Sequence, residues 1–103
     1  MTHSIIISED TTLSEEHSGM RILVDAVATI TLPHETTYKF IEDDEFEIIS
    51  YVDGNVKIEG EKNIEGHEDV EVIPMSNALI TSKGASVKIQ YQGDNVYLMW
   101  GNV

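Results

Sequence analysis

Apolar and polar residues alternate along much of this chain, which is the pattern of β-strands whose side chains point to opposite faces of a sheet. In the segment 85–91, Val87, Ile89 and Tyr91 share one face, and polar residues occupy the other. The further segments with this alternation are 26–32, 46–51 and 70–73. The composition also favours strands, with 13 Ile, 9 Val and 8 Thr against 5 Leu and 4 Ala.

Turn residues between these segments predict two β-hairpins. Asp53, Gly54 and Asn55 separate the segments 46–52 and 56–59. Asp-Gly tolerates the positive φ of tight hairpin turns, so this is the strongest hairpin signal in the chain. Residues 92–95 (Gln-Gly-Asp-Asn) separate the segments 87–91 and 96–100 and predict the second hairpin.

Strand ends and loops complete the predicted architecture. Pro33 and Pro74 cannot donate a hydrogen bond to a sheet, so each is predicted to end the strand before it. Residues 8–19 are predicted to be a loop or one helical turn that ends at Gly19, because segment 12–17 lacks an apolar face. About eight short strands predict an all-β chain, a compact antiparallel β-sandwich or barrel-like domain.

Length and charge limit the classes of protein to consider. The chain of 103 residues and 11.5 kDa is predicted to form a single β domain over residues 1–103. Residues 1–10 are either its first strand or an N-terminal arm. Six Lys and Arg against 19 Asp and Glu give a charge of −13, which argues against nucleic acid and anionic membranes as partners. The absence of cysteine excludes disulfides and thiolate chemistry.

The start of the chain carries no predicted targeting signal. Residues 1–8 have no basic region, and only three large apolar residues follow one another there. No segment approaches the roughly 20 apolar residues of a membrane-spanning helix. We therefore expect a soluble protein in the compartment where it is made.

Motifs for metal binding and catalysis are weak. The acidic run 42–45 is either a Ca²⁺ site or a solvated turn, and it lacks the spaced ligands and glycine of a calcium loop. Segment 53–60 resembles an EF-hand loop only superficially, because Lys57 stands where an oxygen ligand is needed. The four histidines have no metal-ligand spacing, and no G-x-S-x-G motif is present. We expect no cofactor, no metal and no enzymatic activity, although folding could still bring Ser, His and Asp together.

Two groups of apolar residues are candidates for an interface. The aromatic residues near the C-terminus form a sugar-stacking platform, an interface anchor or simply the packing of the last hairpin. The segment Ser4–Ile7 is either the first strand of the domain or an arm that adds a strand to a neighbouring chain. The candidate interface residues are Ile5, Ile6, Ile7, Tyr91, Tyr97 and Trp100.

Two groups of segments, one in each half of the chain, carry a recognisable series of motifs. A Ser18-Gly19 step precedes an apolar strand that ends in Asp25, and a Thr-rich strand then closes on Leu32-Pro33. In the second half, a Gly-Ala-Ser strand beginning at Gly84 leads to a hairpin with a Gly-x-Asn turn at 93–95. Together these segments resemble small bacteriophage virion proteins and tail-fibre modules, and the likeness covers residues 11–101. Members often have Trp after the turn Asn, where this chain has Val96 and carries its tryptophan at position 100.

The resemblance implies an all-β, non-enzymatic virion structural protein that is often trimeric. The length favours a capsid decoration or stabilisation protein that binds the major capsid protein on the outer capsid surface, is made in the host cytoplasm and is located in the virion. The alternative is a tail-fibre or receptor-binding component that contacts host surface glycan. A small hydrolase whose site forms only in three dimensions is the third hypothesis.

Overall fold

The structure is a computed structural model that describes residues 4–74 and 77–101. Within these residues it contains ten β-strands and one 3₁₀ turn, Glu15–His17. The strands are β1 (Ser4–Ile7), β2 (Thr11–Thr12), β3 (Arg21–Val24), β4 (Ala28–Leu32), β5 (Glu45–Ser50), β6 (Val56–Gly60), β7 (Glu71–Pro74), β8 (Asn77–Ile80), β9 (Ser86–Gly93) and β10 (Val96–Gly101). No helix in the described ranges has the length and hydropathy to cross a membrane.

The strands form two sheets that face each other across one core. The large sheet has the order β1-β3-β5-β9-β10-β7, and the small sheet has the order β2-β4-β6-β8. From β1 to β9, successive strands alternate between the two sheets. Strands β1, β3 and β5 are parallel, as are β2, β4 and β6. The first half of the chain therefore winds as a coil that places one strand of each turn in each sheet.

This architecture confirms the all-β class and the sandwich-like domain. The described strands number ten rather than about eight, and one of them, β2, has only two residues. Antiparallel pairs occur only in the second half, where β8, β9 and β10 pair antiparallel with β6, β5 and β9, and even there β7 and β10 pair in parallel. Both sheets are mixed, since the coil makes neighbouring strands run in the same direction.

The hairpin predicted at Asp53, Gly54 and Asn55 is wrong. The flanking strands β5 and β6 belong to different sheets, and the turn carries the chain across the edge of the sandwich. None of the three residues has the positive φ that a tight hairpin needs. A Cβ at Gly54 would lie 2.7 Å from Cγ2 of the exposed Val27, so a larger residue there requires the Val27 side chain to shift.

The second predicted hairpin is confirmed. Strands β9 and β10 pair antiparallel, with Tyr97 opposite Tyr91. Asp94 and Asn95 have φ values of 51° and 61°, which is the conformation that a two-residue hairpin turn demands. The predicted strand end at Pro33 is also confirmed, since β4 ends at Leu32. Pro74 itself belongs to β7, and the two residues after it lie outside the described ranges.

The core consists of the inward faces of both sheets. Its apolar side chains without solvent exposure are Leu13, Ile22, Val24, Ile30, Leu32, Ile48, Val56, Ile58, Ile80, Val87, Ile89, Tyr97 and Met99. Aromatic rings fill one end, where Phe40 lies within 5.2 Å of Phe46 and Tyr91 within 4.9 Å of Tyr97, between ring centroids. The alternating burial seen in β4, β5 and β9 follows the alternation in the sequence.

The segment 8–19 agrees in part with its prediction. A single 3₁₀ turn lies within it, and Gly19 with a φ of 71° ends the turn. The backbone N–H of Ser14 donates to Nδ1 of the buried His17 at 2.9 Å. This imidazole caps the start of the turn and places a histidine in the core.

Candidate functional site

The three isoleucines of β1 divide between the core and the surface. Ile7 is buried and Ile5 packs partly against the core, whereas Ile6 is 63% exposed. This follows from the strand geometry, because successive side chains point to opposite faces. The strand pairs in parallel with β3, so Ser4–Ile7 is the first strand of this sheet rather than an arm extended away from it.

Tyr91 and Tyr97 lie in the core, which corrects their prediction as interface residues. They face each other across the β9–β10 hairpin on its inward side. The Tyr97 hydroxyl donates to the carbonyl oxygen of Pro33 at 2.7 Å, and burial raises the pKa of Tyr97 far above its usual range. The Tyr91 hydroxyl accepts a hydrogen bond from the backbone N–H of Asn95 at 3.2 Å. Both tyrosines therefore act inside the domain.

Trp100 lies on the opposite, outward side of the same hairpin and is 40% exposed. It is three positions after Tyr97, and an odd separation in a strand reverses the face. Strand pairing places it in one row across the outer face of the large sheet. That row runs Ser4, Arg21, Glu47, Lys88 and Trp100.

A cleft of about 200 Å³ lies over this row, and we call it the Trp100 cleft. Its lining residues are Gly19, Met20, Arg21, Glu45, Phe46, Glu47, Lys88, Ile89 and Trp100. Nε of Arg21 donates to Oε1 of Glu47 at 3.3 Å, which holds the two side chains side by side. A second shallow groove lies against Trp100 and Lys88 and is completed by Ser86 and Gly101. Trp100 and Lys88 thus line both depressions.

These residues offer a combination suited to recognition. The indole provides a flat apolar surface, Lys88 a cation, and Arg21 and Glu47 both donors and acceptors of hydrogen bonds. Sequence reasoning identified Trp100 but missed Arg21, Glu47 and Lys88. Their outward direction could be read from the alternation in each strand, but their alignment depends on which strands are neighbours.

The outer edge of β1 is a second candidate surface. β1 is the first strand of the large sheet and pairs only with β3 among the described residues. Its sequence, Ser-Ile-Ile-Ile, contains no charge and no proline, which are the usual means of protecting an edge from pairing. By contrast, the opposite edge strand β7 begins with Glu71 and ends with Pro74. The β1 edge is therefore open to another strand.

The acidic run 42–45 begins in a turn that leads into β5, and His34 and His67 lie in loops. Asp44 accepts a hydrogen bond from the backbone N–H of Ile41 at 3.0 Å, and Asp43 adopts a φ of 75°, so the acidic run is a turn. His34 and His67 lie 5.0 Å apart between ring centroids, although they come from different loops. Within residues 4–74 and 77–101, no three His, Asp or Glu side chains are arranged to hold a metal ion.

Comparison with known proteins adds no assignment. No protein-family model matches the chain, and no curated protein matches it in sequence. The resemblance to phage virion proteins therefore stays a prediction.

Proposed function

We propose that this chain is a non-enzymatic structural protein of a bacteriophage virion, a capsid decoration or stabilisation protein made in the host cytoplasm. It binds the major capsid protein on the outer capsid surface. The proposal rests on the motif resemblance, and the observation that supports it best is the open β1 edge with Ile6 exposed beside it. An edge of this kind accepts a strand from another protein through backbone hydrogen bonds.

The edge is large enough to make a useful contribution to binding. Each added backbone hydrogen bond stabilises by a net of roughly 0.5–1.5 kcal/mol. Burying an isoleucine side chain such as Ile6 adds roughly 1.5–3 kcal/mol at most. One strand addition therefore supplies a few kcal/mol, and three copies linked in a trimer would bind with higher avidity than one.

The charge is compatible with this role. At −13, copies of the chain repel one another in solution, which disfavours aggregation at the high copy number of a virion protein. The same charge attracts a basic patch on a capsid. We further propose a homotrimer, as the resemblance implies; light scattering should then give three times the chain mass of 11.5 kDa.

Co-sedimentation with capsids assembled without this protein tests the proposal. We expect the wild type to pellet with such capsids and the variant Ile6→Lys to bind at least tenfold more weakly, because the charge blocks strand addition. Leu79→Lys is the matched control, since Leu79 is also exposed, at 48%, but lies on edge strand β8 of the small sheet. Failure of the wild type to bind any capsid would overturn the proposal. Loss of binding in Leu79→Lys with normal binding in Ile6→Lys would exclude the β1 edge as the capsid-binding surface.

A receptor-binding component that contacts host surface glycan is the second candidate. The observation that favours it is the Trp100 cleft, where an exposed indole is flanked by hydrogen-bonding side chains. The two functions use different parts of the large sheet. β1 and the strand that carries Trp100, β10, are separated by four strand spacings, about 19 Å, and the cleft reaches β3, the neighbour of β1, at Arg21. No residue of β1 lines the cleft, and a strand added to the free edge of β1 lies on the side away from β3, so it leaves the cleft accessible.

A further inference from the structure

Lys88 is without an ion pair among the described residues, although the chain is strongly acidic. Four of the six cationic side chains already have partners. These contacts are Arg21–Glu47 at 3.3 Å, Lys57–Glu59 at 3.1 Å, Lys62–Glu59 at 3.7 Å and Lys83 at 5.4 Å from the Tyr51 ring centroid. Lys88 has no ion pair within residues 4–74 and 77–101, although Glu47 is directly opposite on β5. The pairing of Glu47 with Arg21 leaves the Lys88 ammonium available to a ligand.

Lys88 is also the cross-strand neighbour of Trp100. The two residues are directly opposite in the β9–β10 pair, where side chains on one face lie about 4.5–5.5 Å apart at Cβ. Both line the Trp100 cleft and the adjoining groove. A ligand that lies against the indole face therefore lies within reach of the ammonium group.

Hydrogen-bonding groups surround this pair at fixed positions. Arg21 uses Nε for Glu47, and its other guanidinium nitrogens carry further donors. Glu45 is held by Nε2 of Gln90 at 3.3 Å and retains acceptor capacity. Such alternating donors and acceptors suit the hydroxyl groups of a sugar ring. The cleft volume of about 200 Å³ is on the scale of one monosaccharide residue.

We propose that the Trp100 cleft binds an acidic saccharide of the hexuronate class. The apolar face of the sugar ring stacks on Trp100, and its carboxylate pairs with Lys88. Arg21 and Glu47 contact the ring hydroxyls. The inference deepens the glycan-binding alternative and is independent of capsid binding, because the β1 edge takes no part in the cleft.

The overall charge further restricts the ligand. Nucleic acid needs several clustered cations, whereas this cleft offers only one cation outside an ion pair. A sparsely charged saccharide places one carboxylate at Lys88 without exposing many charges to the acidic remainder of the surface. Repulsion from that surface extends only about 8 Å at physiological salt.

The chain contains a single tryptophan, so its fluorescence reports directly on the cleft. The probes are methyl β-D-glucuronide and methyl β-D-glucoside, which differ only at C6, a carboxylate in the first and a hydroxymethyl group in the second. At about 0.15 M salt, we expect a saturable change in Trp100 fluorescence with the glucuronide. We expect the glucoside to bind about tenfold more weakly, the effect of losing one charge-assisted hydrogen bond.

Variants separate the proposed contacts. Lys88→Gln should abolish the preference for the glucuronide, while Lys83→Gln, outside the cleft, should leave it unchanged. Trp100→Ala should lose binding of both sugars, measured by calorimetry because this variant lacks the fluorescent residue. No saturable response of the wild type to the glucuronide, equal binding of the two sugars, or an unchanged preference in Lys88→Gln would each overturn the proposal. Ile6→Lys should still bind the glucuronide, so failure here and failure to bind capsids are distinguishable.

Discussion

Replacing Tyr97 by phenylalanine removes one buried hydrogen bond and leaves the surrounding packing in place. The Tyr97 hydroxyl donates to the carbonyl oxygen of Pro33 at 2.7 Å and has no solvent exposure. This bond connects β10 of the large sheet to the end of β4 in the small sheet. The phenylalanine ring keeps the contact with Tyr91, whose centroid lies 4.9 Å away.

The expected cost follows from the acceptor that is left behind. Pro33 is buried, so its carbonyl loses this donor where water does not readily replace it. Leaving a buried polar group without its partner costs about 1–3 kcal/mol. In a domain of this length, each 1 kcal/mol lowers Tm by about 4–8 °C. We therefore expect Tyr97→Phe to lose about 1–2 kcal/mol and to melt about 4–16 °C lower.

Urea unfolding and thermal melting measure this effect. Tyr51→Phe is the control, because Tyr51 is 57% exposed and a surface change of this kind costs within about 0.5 kcal/mol. Equal stability of Tyr97→Phe and the wild type would refute the reasoning, since it would mean that the bond makes no net contribution.

The pH dependence of the same variant gives a second readout. Burial raises the pKa of Tyr97 in the folded state above the unfolded value of about 10. The stability provided by the neutral phenol is therefore complete below pH 10 and is lost as the pH rises above it. The wild type and Tyr97→Phe should converge in stability above about pH 10. A constant difference between them up to the alkaline limit would contradict this assignment.

Three further predictions concern the stability of the domain: the effect of a buried histidine, of a side chain added at a glycine, and of salt. Burial lowers the pKa of His17 in the folded state, so the free energy of unfolding should fall as the pH drops below the unfolded value of 6.5. Urea unfolding at several pH values should show a weaker pH dependence for His17→Gln in this range, and an unchanged slope would contradict the assignment. Gly60→Ala should cost about 1–3 kcal/mol. A Cβ at position 60 would lie 2.9 Å from Val70 Cγ1 and 3.0 Å from the Val70 carbonyl oxygen. Gly54→Ala is the control and should cost less, because its Cβ meets only the exposed Val27. Equal losses of unfolding free energy in the two variants would refute the comparison. Raising salt from about 10 to 150 mM should increase Tm by screening carboxylate repulsion, and no change would count against that repulsion.

The strand alternation and the β9–β10 hairpin could be predicted because both depend on local geometry. Val87, Ile89 and Tyr91 are buried because a strand turns every second side chain inward. Asp94 and Asn95 tolerate the positive φ of a tight turn, and the adjacent strands then pair without any distant contact. The same local rule places Trp100 on the face opposite to Tyr97, so the alternation along β10 already separates the exposed indole from the buried phenol.

The candidate sites required information that no single segment contains. Arg21, Glu47 and Lys88 lie far apart in the chain and meet only because β3, β5 and β9 are neighbours. Likewise, the open edge at Ile6 exists because β1 is the outermost strand of its sheet. A local pattern predicts which way a side chain points but not which strand lies beside it.

By itself, the sequence determined that the chain is acidic, rich in β-branched residues and built from short strands of alternating polarity. These properties follow from residue chemistry and from the two-residue period of a strand. Only the tertiary structure decided that the turn at Gly54 passes between sheets and that six of the ten described strands wind as a parallel coil. The physical reason is that strand partners are selected by burial of whole faces against one another, and that selection depends on residues distant in the chain.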